Sequence, residues 1–94
     1  MERAFYVLAY DIANDKRRAR IAKLCEAVGE RVQASVFEGY FTPPELEKLL
    51  KKLGRVLKVE EDSLRVYALC SACRQRLVVR GRGKPTPAPG VVIV

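Results

Sequence analysis

Histidine is absent from this chain of 94 residues. Without an imidazole the protein has no histidine general acid or base, and a histidine-bound zinc hydrolase is excluded. A Gly-rich phosphate loop is missing as well, because GRGKPT, residues 81–86, lacks the spacing and the strand–helix context of a P-loop. If the protein is an enzyme, a metal ion must therefore generate its nucleophile.

Long hydrophobic runs are also scarce. None approaches the roughly 20 apolar residues that a helix needs to cross a bilayer. The apolar start of the chain is interrupted early by Asp11 and lacks the cleavage pattern of a signal peptide. The sequence thus predicts a cytoplasmic protein with no membrane segment.

Cysteine is limited to three residues, an odd number that does not suit a disulfide framework. Cys25 is predicted to lie in the core. Cys70 and Cys73 form the motif CSAC, which could be half of a zinc site, a redox pair or neither. A zinc ion would need two further ligands, from Cys25 or from a second subunit.

Positive charge is what the chain has in excess. Its formal net charge is +7, and the cations cluster in KRRAR (16–20), KKLGRVLK (51–58) and RQRLVVRGRGK (74–84). Such clustering is typical of proteins that bind nucleic acid. The alternative is a solvated surface of a heat-adapted protein, which also favours abundant Arg, Lys and Glu.

Hydrophobic periodicity predicts two helices and four or five strands. The first helix is capped by Asn14 or Asp15 and ends at Gly29, and its buried face is predicted to hold Ile21, Leu24, Cys25 and Val28. The second runs from a Thr42 cap to Gly54, and its apolar residues at helical spacing are Leu46, Leu49, Leu50 and Leu53. Whether residues 31–41 form one strand or a hairpin is left open. The strands are predicted in AFYVLAYDI (4–12), RVQASVFEGYF (31–41), DSLRVYAL (62–69) and RLVVRG (76–81).

This pattern predicts an α+β fold, a ferredoxin-like sandwich with two helices on one face of an antiparallel sheet. A chain this short buries a low fraction of its surface, which favours a homodimer. Residues 1–82 form the predicted domain. Residues 83–94 are predicted to be a Pro-rich spacer followed by a final strand, VVIV, which pairs with a sheet edge of this chain or of its partner.

Asp11 stands at the end of the first apolar strand, directly before a cluster of cations. Its carboxylate could cap the following helix, pair with the arginines downstream, or bind a hard cation such as Mg²⁺ or Mn²⁺. Metal catalysis needs more than one carboxylate, and two copies of Asp11 related by a two-fold axis would supply a pair. The cations in the first turn of the helix oppose its macrodipole, a conflict that a nearby anion would relieve.

The strand ending in Tyr10-Asp11-Ile12, the arginines after it and RVQASVFEG together resemble CRISPR-associated protein two, the small subunit of the spacer-acquisition machinery. The resemblance implies a ferredoxin-like homodimer whose two first-strand aspartates face each other and bridge a divalent metal in some states. It implies a metal-dependent endonuclease that acts on single-stranded RNA or duplex DNA. The alternative it implies is a non-catalytic scaffold that bridges two dimers of CRISPR-associated protein one, the integrase.

Carried over by motif position, Asp11 is the catalytic residue and metal ligand, with Mg²⁺ or Mn²⁺ as cofactor. Some of the other positions have structural alternatives, because aromatic residues are more often core and a serine can satisfy a strand. An arginine among them can equally be a surface cation. The residues that the resemblance places at the edge of the site or on the nucleic acid are Tyr10, Arg18, Arg20, Arg31, Ser35 and Phe37.

Overall fold

The computed structural model describes residues 2–83 and residue 86. Strands and helices alternate in a pattern that confirms the predicted α+β class. In chain order the elements are β1 (Ala4–Asp11), α1 (Asp15–Glu26), β2 (Glu30–Gln33), β3 (Val36–Phe41), α2 (Pro43–Gly54), β4 (Ser63–Leu69) and α3 (Ser71–Gln75).

The four strands form one antiparallel sheet in the order β2-β3-β1-β4. This order is that of the predicted ferredoxin-like sandwich. β1 is central, between β3 and β4, which explains its nearly continuous apolar sequence. Asp11 is the last residue of β1, and it lies opposite Ser63 at the start of β4.

Residues 31–41 belong to a hairpin and not to one long strand. A turn at Ala34 and Ser35 separates β2 from β3, and the register shifts between Arg31 and Gln33. The shift leaves Val32 of β2 without a paired residue in β3, as in a β-bulge. The backbone N–H of Tyr10 donates to the Ser35 carbonyl at 3.1 Å, so the turn is fixed to the central strand.

The two long helices cover the same face of the sheet, because their buried residues share one core with the strands. Ile21 and Cys25 of α1 pack with Leu49 and Leu53 of α2. Val28 was predicted to share the buried face of α1, but the helix ends at Glu26 and Val28 is 53% exposed. The strands contribute Leu8, Tyr10, Phe37 and Phe41 to this core.

The helix caps follow the sequence prediction. Asn14 caps α1, with its side chain accepting from the Arg17 backbone N–H at 2.9 Å. Thr42 caps α2 in a capping box, in which the Glu45 side chain accepts from the Thr42 N–H at 2.8 Å.

The predicted strand at residues 76–81 is wrong. CSAC leads into the short helix α3, and residues 77–80 have no regular structure. A short run of apolar, β-branched residues favours a strand, but a strand also needs a neighbouring strand to accept its hydrogen bonds. Here Val78 and Val79 stay exposed by 69% and 39%, beside the edge strand β2.

Across residues 2–83 and 86, no helix has both the length and the apolar character needed to cross a membrane. Of the predicted Pro-rich spacer and final strand, only residues 83 and 86 are described, so both predictions fall outside the described residues.

Candidate functional site

The alternation of side chains along β1 separates two neighbouring residues of the predicted site. Tyr10 joins the core under the helices, so Asp11 lies on the opposite side of the sheet. We call this side the open face. It consists of the odd-numbered residues of β1 and of their partners in β3 and β4, namely Phe5, Val7, Ala9, Asp11, Val36, Glu38, Tyr40, Ser63, Arg65, Tyr67 and Leu69.

Two of the three interpretations of Asp11 are wrong. The cap of α1 is Asn14, and Asp11 is absent from the ion pairs formed by residues 2–83. Asp11 is exposed at the end of its strand. Within the described part of the chain, its carboxylate is therefore available to a ligand.

Arg17, one of the cations that follow Asp11 in the sequence, has partners within the chain. Arg17 reaches across to the loop before β4, where its Nε donates to Asp62 Oδ2 at 2.9 Å and its Nη2 donates to Asp62 Oδ1 at 3.1 Å. A third bond from Arg17 reaches Glu61 at 3.2 Å. This bidentate pair is nearly closed to solvent, since the side chain of Asp62 is 0% exposed and that of Arg17 is 17% exposed.

The Arg17–Asp62 pair also explains how α1 tolerates a basic first turn. The Arg17 guanidinium pairs with the carboxylates of Glu61 and Asp62, so this cation does not need an external anion. The hydrogen bonds from Arg17, together with that from the Lys58 backbone N–H, lower the pKa of the Asp62 carboxyl. The pair was not predicted from the sequence, whose only signal for it is the acidic run Glu60-Glu61-Asp62 directly before a predicted strand.

Arg18 and Arg31, both predicted to lie at the edge of the site or on the nucleic acid, hold loops beside the sheet. Arg18 donates to the carbonyl of Ile12 at 2.9 Å and also pairs with Asp15. Arg31 donates twice to the carbonyl of Ala34, at 3.1 Å and 2.7 Å. Their side chains remain 43% and 45% exposed, so each fixes a loop while keeping part of its surface open.

Arg20 differs from these anchored arginines. It lies on the outer side of α1 with Lys16 and Lys23, at spacings of four and three residues that place the three cations on one stripe. All three are exposed, and none of them takes part in an ion pair within residues 2–83. We call these three residues the basic stripe.

The remaining predicted residues belong to the core or to the hairpin. Tyr10 is 5% exposed, donates from its hydroxyl to the Ala34 carbonyl at 3.3 Å and stacks on Phe37. Burial raises the pKa of the Tyr10 phenol, so it remains protonated at neutral pH. Phe37 is 1% exposed, and Ser35 contributes a backbone carbonyl to the turn. Tyr10 and Phe37 therefore lie in the core, and Ser35 lies in the turn that is bonded to β1.

The described part of a single copy does not enclose a metal ion. Residues 2–83 and 86 contain no group of three or more carboxylate or thiol side chains that could hold one. Magnesium, however, is commonly held by one or two carboxylates together with waters and substrate phosphates. An exposed and unpaired Asp11 suits that mode of binding.

Residues 4–77 match a known protein family, described as CRISPR associated protein Cas2. The match covers both long helices and all four strands. The chain belongs to this family. The resemblance inferred from the YDI strand end and RVQASVFEG is thereby confirmed.

Relatives in the Cas2 family support this assignment in sequence and in structure. "CRISPR-associated endoribonuclease Cas2 1" of Chloroflexus aurantiacus is 48% identical over 86% of this chain and 88% of its own length. The crystal structure of Streptococcus pyogenes Cas2 at pH 6.5 matches with a TM-score of 0.74 and 33% identity, over 82% of this chain and 99% of that chain. A chain of the "Partial Cas6-RT-Cas1--Cas2 complex" matches with a TM-score of 0.74 and 29% identity, over 97% and 99%.

Proposed function

We propose that this Cas2-family protein supports CRISPR spacer acquisition as a nucleic-acid-binding homodimer, and that it cleaves phosphodiester bonds in single-stranded RNA or duplex DNA at a site centred on Asp11. The observation that carries this proposal is the state of Asp11, which is exposed and unpaired in the described residues while the arginines beside it are anchored. The name of the Chloroflexus relative, an endoribonuclease, supports the reaction class.

The open face is the surface that we propose a second copy covers. Val7 and Ala9 are only partly buried there, and Tyr67 is 47% exposed. A two-fold axis near the end of β1 brings one Asp11 from each copy together. We propose that residues 91–94, VVIV, pair as a strand with a sheet edge of this subunit or of its partner, because four consecutive apolar β-branched residues otherwise invite aggregation.

The proposed cofactor is Mg²⁺ or Mn²⁺, held by the two Asp11 carboxylates. When bound, such an ion supplies an activated water and neutralises charge on the scissile phosphate. Asp11 then serves as a ligand that has no competing ion-pair partner among the described residues of its own chain. This separation from the nearby cations matters, because an arginine bonded to Asp11 would compete with the metal for its oxygens.

The other residues of the site have supporting roles. Arg18 holds the carbonyl of Ile12, the residue that follows Asp11, and thereby fixes the end of β1. Arg17 fixes the start of α1 to the loop that leads into Ser63, which lies opposite Asp11. Arg20 and the rest of the basic stripe are free to bind backbone phosphates of the substrate.

Cleavage of labelled single-stranded RNA and duplex DNA tests the proposal. Wild-type protein and Asp11→Asn are compared with Mg²⁺, Mn²⁺ or EDTA. We expect metal-dependent cleavage that falls by about 100-fold or more in the variant, because the metal loses its protein ligand. Circular dichroism and the dimer mass should stay unchanged, since the Asp11 side chain is exposed and takes part in no ion pair within residues 2–83.

Glu60→Gln is the matched control. It also removes one negative charge, from an exposed residue of the loop before β4 that is absent from the ion pairs of residues 2–83. Its cleavage rate should equal that of the wild type. Unchanged turnover by Asp11→Asn would rule out the nuclease centred on Asp11.

A scaffold without catalysis is the second candidate, and the basic stripe favours it. Three cations on one side of α1 that form no ion pair within residues 2–83 suit sequence-independent binding to DNA. The solved relative in the Cas6-RT-Cas1–Cas2 complex supports CRISPR-associated protein one, the integrase, as a partner. In this case Asp11→Asn preserves spacer acquisition in cells, whereas Lys16→Glu with Arg20→Glu abolishes it. A cytoplasmic location stays a prediction.

A further inference from the structure

The CSAC motif, residues 70–73, has no role in the proposed function, although a hydrogen bond connects its two cysteines. Cys70 has an extended backbone and Cys73 lies in the helical turn that follows. The backbone N–H of Cys73 donates to Cys70 Sγ at 3.4 Å. Both cysteines are free and exposed. This hydrogen bond holds the Cys70 sulfur next to Cys73, which carries the second thiol.

The surroundings distinguish the three cysteines of the chain. Hydrogen bonds from Cys73 lower the pKa of the Cys70 thiol, and the neighbouring Cys70 raises the pKa of Cys73. Burial raises the pKa of Cys25 to about 11, and that side chain is 1% exposed. Because the thiolate is the reactive form, Cys70 is the accessible nucleophile and Cys73 is its accessible neighbour. The buried Cys25 is unreactive and serves as an internal reference.

We propose that Cys70 and Cys73 form a reversible dithiol–disulfide pair. Residues one helical turn apart have Cβ atoms separated by about 5–6 Å, so a small rearrangement brings them to the distance of a disulfide. A zinc site is the competing use of such a motif. It needs four ligands, and the described residues provide no third or fourth ligand near CSAC.

The oxidant is a low-molecular-weight disulfide of the glutathione class. The Cys70 thiolate attacks one of its sulfurs, which releases one small thiolate and leaves a mixed disulfide on Cys70. The Cys73 sulfur, after losing its proton, attacks Cys70 Sγ and releases the second small thiolate. Two protein thiols are thereby oxidised by two electrons, the external disulfide is reduced to two thiols, and the protons go to the released thiolates.

The position of the pair gives the oxidation a structural consequence. Arg74 directly follows Cys73, and its guanidinium lies 4.8 Å from the centre of the Phe5 ring. Arg74 also donates to the carbonyl of Thr86, and the Thr86 hydroxyl donates to Glu38 at 2.6 Å. A disulfide across the first turn of α3 therefore restrains Arg74, whose side chain contacts Phe5 on the open face.

Alkylation with iodoacetamide, followed by mass spectrometry of the peptides, tests the reactivity. In the reduced protein we expect Cys70 to react at least about ten-fold faster than Cys25. After treatment with oxidised glutathione, the intact protein should lose the mass of two hydrogens and both CSAC cysteines should resist alkylation. Dithiothreitol should restore the original mass and reactivity. Equal rates for all three cysteines would overturn the proposal.

Cys73→Ser and Cys70→Ser are the informative variants. Cys73→Ser should retain glutathione on Cys70 as a stable mixed disulfide, because it lacks the second thiol. Cys70→Ser should form far less adduct. A stable mixed disulfide in the wild type, disulfide-linked dimers, or stoichiometric zinc that protects both thiols would each overturn the internal pair.

Hydrogen exchange measures the consequence for α3. We expect amides of residues 71–76 to exchange at least about three-fold more slowly in the oxidised protein than in the reduced protein, since the closed turn opens less often. Amides of α1 provide the reference and should not change. Equal exchange at residues 71–76 in the two forms would overturn the restraint on α3. None of these measurements depends on nuclease activity.

Discussion

The two faces of the sheet differ in what the chain itself places on them. On the helix-covered face, Leu8, Tyr10 and Phe37 are at most 5% exposed, and they pack into one core. On the open face, Val7 is only partly buried and Asp11 is exposed. Neighbouring residues of a single strand therefore serve different purposes. One set stabilises the fold, whereas Val7, Ala9 and Asp11 of the other set keep surface that partners and ligands can reach.

The largest effect that tests this comparison is on stability. Leu8→Ala should lower the free energy of unfolding by about 2–5 kcal/mol, because it leaves a cavity in the core. Val7→Ala, on the adjacent residue, should cost less in the separated protomer and should weaken dimerisation. Urea unfolding at several protein concentrations measures both. A loss for Val7→Ala as large as for Leu8→Ala at every concentration would contradict the comparison.

The next effect concerns pH and the Arg17–Asp62 pair. The folded pKa of Asp62 is below its ordinary value, so its contribution to stability is fully present above the unfolded pKa, about 3.9 for an aspartate. That contribution is lost as the pH falls through the lower folded pKa. Wild-type stability should therefore decline on acidification below about pH 4 more steeply than that of Asp62→Asn.

Thermal unfolding from pH 7 to pH 3 measures this difference. Glu60→Gln is the control, because it changes the neighbouring carboxylate, which is absent from the ion pairs of the described residues. Its acid dependence should resemble that of the wild type. Parallel curves for wild type and Asp62→Asn would show that the pair contributes no pH dependence.

Much of this fold could be predicted because its signals are local. A cap needs only a few consecutive residues, so Asn14 and Thr42 are recognisable from sequence, and the apolar periodicity identified Ile21, Cys25, Leu49 and Leu53 as core. The unusual position of Asp11 was equally local. Its exposure and its lack of a partner in the described residues required the structure.

The features that could not be predicted from the sequence depend on contacts between residues that are far apart in the chain. Arg17 and Asp62 are 45 positions apart, and nothing in either neighbourhood specifies the other. Residues 76–81, with the apolar run Leu77-Val78-Val79, looked like a strand, but no pattern within a segment shows whether a strand edge accepts it. Tyr10 and Phe37 were placed near the site by resemblance, whereas the pleat of β1 directs Tyr10 into the core.

A smaller effect separates Tyr10 from its neighbour Asp11. Tyr10→Phe removes the hydroxyl that donates to the Ala34 carbonyl, so it should cost about 0.5–1.5 kcal/mol of stability. Cleavage and metal dependence should remain those of the wild type, because the hydroxyl faces away from Asp11. Denaturant unfolding and the cleavage assay are performed on the same preparation. A loss of cleavage comparable to that of Asp11→Asn would place Tyr10 in the reaction after all.

The smallest effect distinguishes a free cation from an anchored one. Arg20→Ala should leave stability unchanged and should reduce the slope of log affinity against log salt for duplex DNA by about 0.9, the value for one phosphate contact. Arg3→Ala is the control. It removes the same charge from the start of β1, where Arg3 pairs with Glu45 at 3.0 Å. If both variants change the slope equally, binding reports net charge alone and the basic stripe is not the nucleic-acid surface.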